Sequence, residues 1–185
     1  GDDCAVIPHD APPAGLLTTD SVVLGQHFLD SDPPELVGAK LLKRSLSDIA
    51  AMGGTPGRAV LAGLLPRTLR RAWLEAFVRG IADCCLKYDT LVVGGDLTEC
   101  PRDLAINLTL TGHAARPMLR AGGRAGDPIW VTGPLGGSRL GRHQTFIPRL
   151  REGRLLAQTD EVRACIDISD RSASDPPTPL PAAAS

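Results

Sequence analysis

Two stretches decide the reading of this chain: LLTTDSVVL at residues 16–24 and DPPELVGAKLLKRSLSDIAAM at residues 32–52. The first is apolar and rich in β-branched residues, the composition of a strand. The second carries Leu36, Val37, Ala39, Lys40, Leu41, Lys43 and Leu46 in a helix-compatible pattern that runs to Met52, where Gly53-Gly54 stops it. Asp32 suits the N-cap, Pro33 the first helical position, and Glu35 the far side of a capping box. Working outward, short apolar or alternating runs predict further strands at 4–8, 58–65, 90–93, 103–114, 128–132 and 164–168. Thr68 can cap a second helix with Trp73, Phe77, Ile81 and Cys85 at steps of four, one buried face. A short helix is expected at 148–156. Strands interleaved with two long helices, without regular βα alternation, predict an α/β fold of the layered α+β type.

Composition narrows the function. The chain has 185 residues, of which 43% are hydrophobic and 22% charged, the ordinary range for a globular protein. Twenty Lys+Arg against 21 Asp+Glu leave a net charge of −1, which excludes a polycationic nucleic-acid binder. The apolar runs fall short of the roughly 20 residues of a membrane helix, and no basic-then-apolar segment opens the chain, so a cytoplasmic protein is expected. Five cysteines without CxxC spacing argue against zinc and against a disulfide framework; buried, reduced thiols are the default. Gly1-Asp2-Asp3 starts inside a motif, and residues 172–185 are Ser-, Ala- and Pro-rich, so the chain is expected to be a piece of something longer.

Aspartate outnumbers glutamate 16 to 5. One local text recurs, a strand followed by Asp among small residues: Gly1-Asp2-Asp3, Thr18-Thr19-Asp20, Ser47-Asp48, Gly95-Asp96 and Asp167-Ile168-Ser169-Asp170. Any one of these is more often a turn former or a cap. Asp48 differs because it lies inside a helical pattern, where Asp is a poor former. Gathered on one rim, such carboxylates would repel and would require cations, and an oxygen-only set selects magnesium or calcium over zinc. Magnesium with open positions is the usual arrangement for phosphoryl transfer. No GxxxxGK[ST] motif occurs, so the Walker lysine is absent; GGRAG at 122–126 and GPLGG at 133–137 are weak candidates for phosphate loops. Arg120 precedes the first loop and His27 follows the second strand; taken singly, a surface arginine and a lone histidine are the plainer readings.

Six motifs in this order, GDDCAV (1–6), TTDSVVLGQHF (18–28), LSDIAAMGG (46–54), VVGGDLT (92–98), RAGGRAGDPIWVTGPLGGS (120–138) and ACIDISD (164–170), resemble the thiamine-monophosphate kinase family. Its superfamily includes aminoimidazole ribonucleotide synthetase and selenophosphate synthetase. The resemblance implies a mixed sheet with helices on one side, in an N-terminal ATP-binding domain that pairs into a barrel-like homodimer. It implies magnesium-dependent transfer of the terminal phosphoryl of ATP to thiamine monophosphate. Carried over by position, Asp3, Thr18, Thr19, Asp20, Asp48, Asp96, Asp167 and Asp170 would surround several Mg2+ ions. Gly95, Asp96, Arg120 and Ser169 would contact ATP, and His27 the substrate; no residue is assigned as general base. Residues 1–138 would form the metal- and ATP-binding domain, 139–170 the start of a truncated second domain, and 171–185 a tail. Alternative readings are a non-catalytic dimerising fragment and an ATP-dependent synthetase with another acceptor.

Overall fold

Helix α1 (Pro34–Ala51) forms where the 32–52 pattern predicts it, and the sheet is laid out beneath its apolar face. The computed structural model describes residues 2–8 and 13–168. Strands β1 (Ala5–Ile7), β2 (Ala14–Val23), β3 (Thr55–Pro66), β4 (Leu91–Cys100) and β5 (Ala105–Ala114) make one sheet in the order β1-β2-β5-β3-β4. Only β3 and β4 run parallel; helix α2 (Arg71–Tyr88) makes the crossover between them, as a parallel connection requires. Two shorter helices follow, α3 (Arg142–Thr145) and α4 (Leu150–Ala157). The mixed sheet with helices is the predicted α/β layered architecture.

Side-chain alternation makes the layers. Leu16 and Val22 of β2, Ala59 of β3, and Ile106, Leu108 and Leu110 of β5 are buried in one core with Val37, Leu41, Leu42, Leu46 and Ile49 of α1 and Phe77 and Ile81 of α2. The residues between them, such as Thr19, Val60, Leu64 and Asn107, point to the other face, which no element among the described residues covers: Val60 and Leu64 are 44% and 47% exposed. Each leucine or phenylalanine taken out of water in the core contributes about 1.5–3 kcal/mol.

Four sequence expectations fail. Asp32 does not cap α1; its Oδ2 points back to accept the Leu29 N–H at 2.8 Å. Thr68 does not cap α2, whose N-cap is Arg70 without a side-chain bond. Residues 128–132 and 164–168 are not strands: no described strand pairs with them, and Ile129 and Trp130 are 94% and 87% exposed. The run predicted at 90–93 instead continues through Gly94-Gly95-Asp96 to Cys100, because β3 is long enough to pair with it up to Pro66. Gly95 makes this continuation feasible: its φ is +155°, and a Cβ there would sit 2.0 Å from the Leu61 carbonyl oxygen. The predicted tail lies outside the described residues.

Helices α1 and α2 cross in backbone contact. A Cβ on Gly38 would meet the Phe77 carbonyl oxygen at 2.2 Å, and one on Gly80 the Glu35 carbonyl oxygen at 1.9 Å. Gly80→Ala is therefore expected to lower stability by about 1–3 kcal/mol through overpacking, whereas Gly94→Ala, with nothing within 4 Å, is expected to change it by less than about 0.5 kcal/mol. Urea unfolding of both variants checks this.

Candidate functional site

Four of the predicted residues meet where the start of the chain, β2 and the C-terminal half of α1 come together. Pairing of Ala5 with Leu17 carries the residues just ahead of β1, Asp3 among them, to the stretch of β2 that holds Thr18. Thr18 points to the helix-covered face and donates its hydroxyl hydrogen to Asp48 Oδ2 of α1. Asp167 arrives on the segment 161–168, which is held by the Cys165 N–H donating to the Leu119 carbonyl at 3.0 Å. One carboxylate oxygen from each of Asp3, Asp48 and Asp167 lies within 4.8 Å of the others.

The cluster is electrostatically costly. Burial, opposed by the Thr18 hydrogen bond and reinforced by the charges of Asp20, Asp167 and Asp3, pushes the Asp48 carboxyl up to about 8. Burial and then the same four carboxylates, Asp48 among them acting on its neighbour, push the Cys4 thiol far up, so it stays protonated while no metal ion is bound. Asp3, its side chain wholly buried, carries a cation: the Arg120 guanidinium binds its Oδ1. Its Oδ2 faces the Asp167 N–H at 3.4 Å, and the Arg120 N–H donates to Asp2 Oδ1 at 2.7 Å. Three carboxylates and a hydroxyl, with no nitrogen or thiolate, form a donor set that fits a hard divalent cation such as Mg2+.

Asp20 stays close enough to the cluster for its charge to act on Asp48, and Arg120 is bonded to Asp3; Thr19, Asp96, Gly95 and His27 lie elsewhere. Asp20 shares the face of Thr18 but is ion-paired with Arg44 at 3.1 Å and accepts the Ser45 hydroxyl at 2.8 Å. Thr19 is turned by strand alternation to the uncovered face, where it bonds Asn107 Oδ1 and Thr109 Oγ1, each at 3.1 Å. Asp96 is in mid-strand on β4 and exposed, paired in register with Ala62 on that same uncovered face; its Oδ2 accepts the Thr98 hydroxyl at 2.9 Å. The single chain does not bring Thr19 or Asp96 to the cluster. Gly95, beside Asp96, serves the β3–β4 contact described above. His27 stands in the turn after β2, its Nδ1 accepting the Val23 N–H at 3.2 Å and its carbonyl accepting Lys40 Nζ at 2.6 Å. Lys40 is eight residues from Asp48, about 12 Å along the helix axis. Ser169 and Asp170 lie outside the described residues. Sequence reasoning missed Arg44 and Ser45, the residues that engage Asp20; they stand four and three positions before Asp48, the helical spacing that would have found them.

The family described as AIR synthase related protein, N-terminal domain, matches residues 1–114, the stretch that holds all five strands, α1 and α2. The chain belongs to this family. A thiamine-monophosphate kinase of Rhodopirellula baltica is 38% identical over 178 residues, covering 92% of this chain and 56% of that protein. The thiamine-monophosphate kinase of Escherichia coli K12 is 34% identical over 95% of this chain and 59% of its own length. The solved structure of AaThiL complexed with AMPPCP and TMP superposes with a TM-score of 0.80 at 31% identity, over 85% of this chain and 57% of that one. The chain thus spans less than two thirds of the length of these relatives.

The raised Asp48 value has a stability consequence. Folding favours the protonated carboxyl, so the contribution of Asp48 is fully present below the ordinary carboxylate range near 4 and is lost as pH rises through about 8. In chelator, thermal stability is expected to fall across that window. Asp48→Asn should flatten the fall, and differential scanning calorimetry over a pH series measures it.

Proposed function

We propose that the chain carries the metal- and ATP-binding part of a thiamine-monophosphate kinase, transferring the terminal phosphoryl of ATP to thiamine monophosphate to give thiamine diphosphate and ADP. The convergence of Asp3, Thr18, Asp48 and Asp167, drawn from four separate motifs, is the observation that carries this reading. Its support is the 38% and 34% identity to proteins of that name and the likeness to a structure holding AMPPCP and TMP. Residues 1–138 form most of the metal- and nucleotide-binding unit in this reading, with Asp167 joining it from the segment 161–168. Five free cysteines suit a reducing compartment such as the cytoplasm, and no helix among the described residues is long and apolar enough to cross a membrane.

Asp3, Asp48 and Asp167 would hold Mg2+, with Thr18 orienting Asp48; bound there, the cation would supply charge neutralisation for the phosphates. The attacking oxygen belongs to a phosphate monoester whose second pKa is about 6, so it is already ionised near neutral pH and needs no general base. The work left to the protein is to bring two polyanions together and align them. Arg120 and Gly95-Asp96 would contact ATP, and His27 the thiamine substrate.

The uncovered sheet face fits the second part of the reading, a barrel-like homodimer closed face to face. Val60, Leu64, Asn107 and Asp96 lie on it, so Asp96 would face the second copy rather than the acid cluster of its own chain.

Incubation of the chain with Mg2+, ATP and thiamine monophosphate is expected to yield thiamine diphosphate, scored as its fluorescent oxidised derivative. Product should fall at least about 100-fold in Asp48→Ala; undiminished turnover in that variant would overturn the assignment. Sedimentation velocity should show a dimer that Leu64→Asp converts to monomer, while a monomeric parent chain would remove the barrel.

A further inference from the structure

We propose that Arg120 is an exchangeable counter-ion: its guanidinium neutralises Asp3 while the acid cluster lacks a divalent cation, and it swings outward when one binds. This rests on the metal-site reading above and adds to it the resident cation that must leave.

The contacts of Asp3 carry the argument. Its side chain has no solvent exposure, so its charge cannot be screened by water, and both of its oxygens are engaged, Oδ1 by Arg120 and Oδ2 by the Asp167 N–H. A buried carboxylate among two others requires a cation on it, and among the described residues the guanidinium is the one cation bonded to it. A divalent ion held by Asp3, Asp48 and Asp167 would stand within a few ångströms of that guanidinium, where like charges at low dielectric repel strongly. One of the two must go.

Arg120 is built to be the one that moves. Its side chain is 43% exposed, so water is available to the outward rotamer. Its backbone is fixed independently of its guanidinium: its own N–H is held by Asp2 Oδ1, and the carbonyl of Leu119 by the Cys165 N–H. Gly122, at φ +124°, lies so close to Arg163 that a Cβ would meet the Arg163 carbonyl oxygen at 2.5 Å. The base of the arm stays put while its tip exchanges partners. A planar guanidinium released at the rim of a cation site is suited to the oxygens of an incoming phosphate chain. The exchange couples the two events: the cation would free the arginine that receives the anion.

Two measurements test this on the whole chain, with metal alone as the probe. Phenylglyoxal labelling of Arg120 in the unsubstituted protein, read by peptide mass spectrometry, is expected to rise several-fold on adding Mg2+, with exposed Arg58 on β3 as the unchanging reference. Mn2+ affinity, read by electron paramagnetic resonance, is expected to tighten by about tenfold in Arg120→Gln, because a competing charge is gone, and to weaken in Asp3→Asn. Mn2+ binding that needs Asp3, combined with unchanged or reduced Arg120 labelling, overturns the exchange and leaves the metal site standing. No Mn2+ binding, or binding indifferent to Asp3→Asn, overturns both. Should Arg120→Gln fail to fold, the labelling of the unsubstituted chain decides by itself.

Discussion

Three backbone-to-backbone contacts fix α1, and the rest of the molecule depends on them. Gly38 lies under the Phe77 carbonyl and Gly80 under that of Glu35, while Gly153 of α4 sits where a Cβ would be 2.0 Å from the Ala50 carbonyl oxygen. A helix held this closely on two sides cannot slide or rotate without a clash of main chain, which is far stiffer than a side chain. Its remaining faces are occupied as well. The buried Lys40 ammonium donates to the His27 carbonyl and stands 2.9 Å from His143 Nδ1; buried Lys43 donates to the Gln144 carbonyl and lies 5.0 Å over the Phe146 ring. Those two lysines tie the turn after β2 and helix α3 to the same rigid element.

A rigid α1 explains how carboxylates can be assembled at all. Asp48 is held against Thr18 and near Asp3 and Asp167 by packing that is unrelated to charge, and its burial, with the neighbouring charges added, appears as a raised proton affinity. Core contacts worth tens of kcal/mol in sum outweigh the electrostatic penalty of a few groups. Site and scaffold are therefore separable: the apolar face of α1 supplies position, and its far end supplies chemistry.

Much of this was legible in the sequence, because hydrophobic periodicity reports burial directly. The patterns at 16–24, 32–52 and 103–114 and the four-residue steps from Trp73 to Cys85 became β2, α1, β5 and α2. The motif spacing also pointed to Asp3, Thr18, Asp48 and Asp167. What failed turned on contacts that composition does not report. Asp32 and Thr68 have cap chemistry, but the turn geometry used other groups. The segment 128–132 has strand composition and no strand beside it. Thr18 and Thr19 look alike as text; only the pairing of β2 with β5 sends one to the acids and the other to the open face. The partners of Asp20, Arg44 and Ser45, are more than 20 residues away from it and were not legible beside it.

Cys4 illustrates a further property of the acid cluster. The thiolate is the form of cysteine that reacts with peroxides, disulfides and alkylating agents. At Cys4 burial and four neighbouring carboxylates suppress that form together, beside the very groups a phosphoryl-transfer site would need. Burial first, and then the negative field that invites a cation, hold the adjacent sulfur in the thiol form, the form least open to oxidants.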